Sequence, residues 1–379
     1  MVARILSIGT AVPPTVLAQG DVRDFFVAQP GVDRLTARLI GAAFDAAAID
    51  RRHTVLHEFG RLRGEKGTDA ASAAPGGGFI GAEGELRVPS TGARNAAYTA
   101  LAPELYAQAA CEALAGGRVA ASDITHVVTV SCTGFFAPGP DYRLVRDLGL
   151  ASTVERYHLG FIGCAAGIPA LRAAARISAA DPDAVVLVAC AELCSLHIRA
   201  SDDPQQIVAA SVFADGAAAA VVTARDDLAG RVTGAVLDLD RFATTLTSEG
   251  ETDMVWTIGD EGFEMTLSAE VPRIIGREIQ EAVGEFLGDD RPATWAVHPG
   301  GRSVLDRVES GLGLPESALE TSRDVLREFG NMSSATILFI LQRVLGSVLG
   351  DGERIAALAF GPGLTVEAAL LTARTGGRP

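Results

Sequence analysis

Cys164, His298 and Asn331 are the residues of this 379-residue chain whose types could combine in acyl-transfer chemistry. Cys164 lies in GFIGCAAG, residues 160–167, after a β-like stretch (154–159) and before an Ala-rich helical one (171–180). The small residues around it suit a sharp strand-to-helix turn. A thiol at a helix start has its thiolate stabilised by backbone N–H groups and the helix dipole. A buried structural cysteine would show the same local pattern. A thiolate nucleophile needs a base or an imidazolium partner. Of the six histidines, His298 follows an apolar strand and precedes Pro299-Gly300-Gly301, a strand end of the kind where α/β sheets build sites. His53 and His57, near Arg51-Arg52, read as surface or linker residues, and His126 and His158, within strands, as satisfied core histidines. Asn331 follows a glycine and precedes a strongly helical run (337–349). It is either an N-cap or a carboxamide aimed into a cleft. In such a set the thiolate takes an acyl group, and imidazole and amide donate to a developing oxyanion.

Positioning three distant groups requires a layered scaffold, and the pattern supplies one. Short apolar runs read as strands at 4–8, 124–131, 184–191, 217–223, 295–298, 355–359 and 365–373. The run AVVLVACA (184–191) is continuously apolar, as in a strand covered on both faces. Helical periodicity falls between them, at 93–114, 269–287 and 334–349. This alternation predicts an α/β layered fold. A composition shift near 224–230 separates two halves, 1–225 carrying Cys164 and 226–379 carrying His298 and Asn331. The Gly/Ala/Ser-rich stretch 64–86 reads as a loop. Its triple glycine lacks the GK[ST] of a phosphate loop.

Composition narrows the function classes. At 48% hydrophobic and 21% charged residues the chain is neither disordered nor short of core. A net charge of −15 leaves no global basic footprint for nucleic acid, so an anionic substrate must be met by local groups. No apolar run approaches the roughly 20 residues of a membrane span. The start, MVARILSIGTAVPPT, reads as a strand and turn instead of a secretory signal. The five cysteines contain no CxxC pair, which argues against a disulfide framework or a structural zinc and for a cytoplasmic setting.

Four motifs together carry a resemblance: GFIGCAAG, WAVHPGG (295–301), FGNMSSAT (329–336) and FGPGLTVE (360–367). In this order and at about this spacing they resemble the signatures of type III polyketide synthases, the chalcone synthase superfamily on the thiolase fold. The resemblance runs from the first strand to the C-terminus and is poorest over 64–92. It implies a five-layer αβαβα fold of two similar halves and a Cys164, His298 and Asn331 triad. The implied reaction loads an acyl starter from coenzyme A onto Cys164. Iterative decarboxylative Claisen condensation with malonyl-CoA follows, then cyclisation to a pyrone, resorcinol or related aromatic product. No further cofactor and no metal is implied; the partners are acyl-CoA and malonyl-CoA, a second copy in a homodimer, and optionally an acyl carrier protein.

Other positions carry over by resemblance. Phe213, in SVFADGAAA, matches the first of two gatekeeper phenylalanines between CoA tunnel and cavity, and Met265 replaces the second. Cys132, Cys194, His197, Trp256 and Ser333 fall on cavity-lining positions, with Gly361, Pro362 and Gly363 in the last motif. His197 and Trp256 are bulky for these places, which argues against chalcone as the product. The segment 131–139, SCTGFFAPG, resembles a loop that crosses the dimer interface, with Ala137 in place of the usual Met and Ala137–Pro138 a candidate cis peptide. The basic residues that hold CoA phosphates in plant enzymes have no match in 39–48. Arg51 and Arg52 stand in as the expected CoA contacts, with Arg34 and Arg38 nearby. The motif style looks bacterial and resembles the alkylpyrone and alkylresorcinol synthases, which take fatty acyl starters.

Three rival readings remain at this level. A ketoacyl-ACP synthase III-like or hydroxymethylglutaryl-CoA synthase-like enzyme of the same fold would condense once. A papain-type hydrolase would use Cys, His and Asn differently. An inactive scaffold would need none of the three.

Overall fold

The computed structural model describes residues 2–63 and 78–375. The greater part of the Gly/Ala/Ser-rich stretch, 64–77, lies outside the described residues. Just after it, Phe79 is buried, and the N–H groups of Phe79 and Ile80 both donate to Glu58 Oε2 at 2.8 Å.

Nine strands form one sheet. In chain order they are β1 (Arg4–Ala11), β2 (His126–Ser131), β3 (Glu155–Gly160), β4 (Val185–Leu193) and β5 (Asp215–Thr223), followed by β6 (Ala235–Leu246), β7 (Thr294–Val297), β8 (Arg354–Gly361) and β9 (Thr365–Thr375). Their spatial order is β7-β8-β9-β6-β1-β5-β4-β2-β3. The order encodes two similar halves. In the first, β3, β2 and β4 run parallel and β5 and β1 continue antiparallel. In the second, β7 and β8 run parallel and β9 and β6 continue antiparallel. The halves meet between β1 and β6, where Arg4 and Ile5 face Asp238 and Leu237.

Strand alternation explains the layers. Along β4, Val185, Leu187, Ala189, Ala191 and Leu193 belong to one apolar cluster and Val186, Val188 and Cys190 to another, because successive side chains point to opposite faces. The first cluster packs the long helix α1 (Thr91–Gly117) on the outside of the first half. The second gathers α2 (Gly167–Ala180) and α3 (Thr336–Leu345) between the halves. A third packs α4 (Val271–Leu287) and α5 (Arg302–Leu312) outside the second half. The two halves of the one sheet thus enclose α2 and α3 and carry further helices on their outer sides, the thiolase-like α/β architecture expected from the motifs.

The strands 4–8, 124–131, 184–191, 217–223, 295–298, 355–359 and 365–373 all coincide with observed strands within a few residues. β6 and the hairpin Met254–Gly259 with Gly262–Leu267 were not anticipated. His158 departs from its expectation as a core residue: β3 is the sheet edge, and His158 is exposed there with Nδ1 on Thr129 Oγ1 at 2.9 Å. His53, expected at the surface, is half-buried, stacks on Phe329 and bonds Pro13 O through Nδ1 at 2.8 Å. The Ala137–Pro138 bond is cis. Among the described residues no helix is long and apolar enough to cross a membrane.

Candidate active site

Cys164 sits in the 3-10 turn Gly163–Ala166 that leads straight into α2. The turn needs Gly163 twice over: its φ is +78°, and a Cβ there would come 2.3 Å from Pro362 Cδ. The loop of the last motif thus closes directly over the Cys164 turn. The thiol is buried, and burial is the main cause that pushes its pKa up to about 11. Hydrogen bonding from the Ser333 and Asn331 side chains opposes the rise, and the buried Glu192 carboxylate adds to it. The sequence pattern suggested a thiolate lowered by the helix start. In the folded chain desolvation outweighs that effect, and the resting sulfur carries its proton.

His298 follows β7, and its N–H donates to Leu358 O of the neighbouring strand at 2.8 Å. It is fully buried, and among the described residues neither ring nitrogen has a hydrogen-bond partner. Burial lowers its pKa to about 3, so the imidazole is neutral. Two vacant ring nitrogens in a protein interior are costly unless a ligand or substrate completes them.

Asn331 follows Gly330, whose φ is +74°. Its carboxamide oxygen accepts the Ser333 N–H at 2.8 Å, and Nδ2 is the donor, giving one N–H to Gly300 O at 3.4 Å. Gly300 in turn donates its N–H to His298 O at 3.1 Å. The structure therefore brings Asn331 and Ser333 to the sulfur and links Asn331 to the His298 loop through Gly300. Asn331 does not cap α3; the residue before that helix is Ala335, without a side-chain cap.

Cys164 and Ser333 open into a chamber of about 60 Å³ together with Cys132, Cys194, His197 and Phe213. Trp256, Met265 and Pro362 complete its wall, so nine residues singled out from the motifs face one hollow. Gly361 and Gly363 flank Pro362 in the closing loop. Trp256 and Met265 are cross-strand partners in the unanticipated hairpin. The wall is rigidly bonded. Trp256 Nε1 donates to Cys132 O at 2.6 Å, His197 Nε2 donates to Thr133 O at 2.7 Å, and Phe263 N donates to His197 Nδ1 at 3.0 Å. These bonds fix the His197 tautomer, and burial holds its pKa at about 3.

Glu192 was missed from sequence. It is fully buried and accepts from Ser334 Oγ, Cys132 N at 2.9 Å and Thr133 Oγ1 at 2.8 Å. The available signal was a lone acid ending a continuously apolar strand. Phe263, stacked on His197 at 4.2 Å between ring centroids, was likewise missed.

A second hollow, of about 780 Å³, meets the chamber at Met254 and reaches Gly300 and Gly301. Ala43, Ala46 and Ala47 line its apolar side and Arg273, Arg302 and Arg307 its basic side, with Asp203 and Asp306 also present. The expectation that Arg52 meets a CoA phosphate is corrected. Arg52 is only 3% exposed, and its Nη1 donates at 2.7 Å to both Ala210 O and Phe213 O. Arg51 is exposed and paired with Glu328 at 3.4 Å, and it borders neither hollow.

Comparison with known proteins agrees with this geometry. The family described as "Chalcone and stilbene synthases, N-terminal domain" matches residues 80–226, and its C-terminal counterpart matches 238–375. Bisdemethoxycurcumin synthase of Oryza sativa subsp. japonica is 33% identical over 390 residues, covering 98% of this chain and 92% of that protein. Probable polyketide synthase 1 of Dictyostelium discoideum is 35% identical over 289 residues, which is 73% of this chain and 9% of that much longer protein. Among solved structures, PKS-I of the brown alga Ectocarpus siliculosus superposes with a TM-score of 0.89 at 29% identity, covering 98% of both chains. The C-terminal type III polyketide synthase domain of Steely1, from Dictyostelium, superposes with a TM-score of 0.84 at 28% identity, covering 98% of this chain and 99% of that one. The chain belongs to the chalcone and stilbene synthase family and is a type III polyketide synthase, an acyltransferase that works by iterative condensation.

Proposed function

We propose that Cys164 carries the growing chain while His298 and Asn331 drive malonyl decarboxylation beside it. The carrying observation is that the Ser333 and Asn331 side chains act on the Cys164 thiol, while Asn331 is linked through Gly300 to the loop of His298, a buried imidazole whose two ring nitrogens have no partner among the described residues. In loading, the sulfur attacks the acyl-CoA carbonyl carbon, the S–CoA bond breaks, and the thiol proton leaves with coenzyme A. In extension, the C–C bond to the malonyl carboxylate breaks and CO2 departs. The electron pair passes to an enolate whose oxygen takes hydrogen bonds from His298 and Asn331 Nδ2. The enolate carbon then attacks the Cys164 thioester and expels the sulfur, which takes a proton from solvent, and the lengthened chain, now a coenzyme A ester, reloads onto Cys164 by the first step. A neutral imidazole serves here as an N–H donor, and each such donor lowers the barrier by about 3 kcal/mol.

Coenzyme A esters approach through the 780 Å³ hollow, with Arg302, Arg307 and Arg273 meeting the phosphates in place of Arg51 and Arg52. This supports a CoA ester over a carrier protein as the acyl donor. The exposed edge of β3, with Tyr157 45%, Phe135 48% and Phe161 39% exposed, supports a second copy on that face. The product is read as a pyrone or resorcinol in the manner of bacterial alkylpyrone and alkylresorcinol synthases. The narrow chamber favours the shorter starters of that class. Incubation with acyl-CoAs of graded length plus malonyl-CoA, read by mass spectrometry, tests this. Products of several extensions followed by ring closure are expected. A single condensation product would instead favour the ketoacyl-ACP synthase III-like alternative.

Asn331→Ala and His298→Ala should each lower malonyl-CoA decarboxylation by about a hundredfold. Parental decarboxylation in either variant would remove that residue from the reading.

A further inference from the structure

Arg52 occupies a place that a surface-type side chain rarely keeps. It lies on the short strand Arg51–Thr54, and its guanidinium is buried with Nε and Nη2 unpartnered among the described residues. Burying a charge with incomplete hydrogen bonding costs several kcal/mol, so its retention calls for an explanation. Its contacts supply one. Nη1 binds Ala210 O and Phe213 O, at the end of the helix Pro204–Val212 and on the gate residue just beyond it. The Arg52 stem lies where a side chain on Gly330 would go, 2.9 Å from that Cβ position to Cγ and 3.0 Å to Cδ. Phe213 and Asn331 are joined by a parallel bridge: Ala214 N donates to Asn331 O, and Asn331 N donates to Val212 O, both at 2.9 Å. Arg52 therefore touches both sides of that bridge.

Neighbouring contacts reinforce it. Asp215, two residues beyond the gate, accepts from Val55 N and Ser195 N at 2.8 Å. Its carboxylate is the charge that acts on the guanidinium, opposing the effect of burial. The Phe44 ring lies 5.6 Å from Cζ.

We propose that Arg52 is a positioning residue for decarboxylative condensation, clamping the Phe213 gate and the Asn331 donor into one rigid unit. It touches no substrate. It acts through the Phe213 carbonyl and through the backbone that aims the Asn331 carboxamide. The inference rests on the reading of Asn331 as a decarboxylation donor, and the test separates the two.

Arg52→Met, Arg52→Gln and Arg52→Lys are compared with the parent and with Asn331→Ala. Malonyl-CoA decarboxylation is normalised to the number of reactive sites, taken as the protein concentration multiplied by the folded fraction from circular dichroism, so that unfolded protein is not counted. Arg52→Met should lower kcat per reactive site about tenfold or more with KM within about threefold. Arg52→Lys, which keeps charge and donors, should recover to within about threefold of the parent. Parental kcat per reactive site in folded Arg52→Met overturns the proposal. So does a loss that Arg52→Lys does not recover. If Arg52→Met does not fold, Arg52→Gln is judged by the same thresholds. If no variant folds, amide exchange in the parent decides: Ala214 and Asn331 N–H protected like the β5 interior support the clamp, and loop-like exchange overturns it. Should Asn331→Ala decarboxylate at the parental rate, the reading of Asn331 fails by itself. Arg52 is then judged at the gate, where a changed preference between short and long acyl-CoA starters in Arg52→Met supports the clamp and an unchanged one overturns it.

Discussion

The indole of Trp256 donates its N–H to the carbonyl oxygen of Cys132, tying the hairpin to the turn that follows β2. The bond holds a large flat side chain across the chamber beside Met265. Replacing Trp256 with Gly should lengthen the chamber and extend the range of accepted acyl-CoA starters toward longer chains. The readout is the product profile over a graded starter panel, and an unchanged profile would show that Trp256 does not limit the chain. His197→Gly is the harsher probe of the same wall. It leaves Thr133 O and Phe263 N without their partner, at about 1–3 kcal/mol each if they stay dry. That variant should therefore lose thermal stability as well as change its products, whereas Trp256→Gly strands only one carbonyl.

Cys164→Ala should abolish acyl loading and product formation while leaving malonyl-CoA decarboxylation measurable, because His298 and Asn331 are held by other bonds. Intact-protein mass spectrometry after incubation with acyl-CoA should show an adduct on the parent and none on the variant. An acylated Cys164→Ala would place the nucleophile elsewhere, with Cys132 and Cys194 the remaining thiols of the chamber.

Much of this site was legible because its motifs are local. Small residues around Cys164, glycines after His298 and a Gly-Asn pair each mark a backbone that must turn sharply or approach closely. Gly163 against Pro362 shows the physical reason. Long apolar strands were legible for the same local reason: β4 is buried on both faces and needs no polar alternation. Three things were not legible. β6 carries Asp238, Asp240 and Arg241, charges that ion pairs with Arg4, Arg354 and Asp290 make tolerable only once the strands are assembled. The Trp256 hairpin has weak alternation because one face lines a cavity. Arg52 follows another arginine and looks exposed, and nothing in its neighbourhood along the chain announces carbonyls 158 and 161 residues away.

The basic side of the larger hollow gives a test of how the substrate is held. Arg302 is 3.6 Å from Asp306, whereas Arg307 has no carboxylate within ion-pair distance among the described residues. Arg307→Ala should raise KM for malonyl-CoA several-fold, about 1 kcal/mol, with kcat little changed, the sign of lost uniform binding. A truncated thioester without the nucleotide should not distinguish parent from variant. Equal KM values for malonyl-CoA would place the phosphates elsewhere.

Acid should destabilise this protein through its neutral buried histidines. His197 and His298 are both held at a pKa of about 3 by burial, against about 6.5 in the unfolded chain. Below pH 6.5 the unfolded state binds protons that the folded state refuses, so stability falls as pH drops from about 6.5 toward 3, by up to about 1.4 kcal/mol per pH unit for each histidine. Asp215 works in the opposite sense, because burial raises its pKa to about 6 and the folded state takes up its proton first. The histidine contribution is isolated by difference. His298→Gln removes one of the two without removing a hydrogen bond, since both ring nitrogens are unpartnered. Its thermal midpoint should fall less steeply than the parent's between pH 6.5 and 4, by the equivalent of about one proton. Parallel curves would mean that His298 takes up its proton in the folded protein over the same pH range as in the unfolded chain, and that burial does not hold the imidazole neutral below pH 6.5.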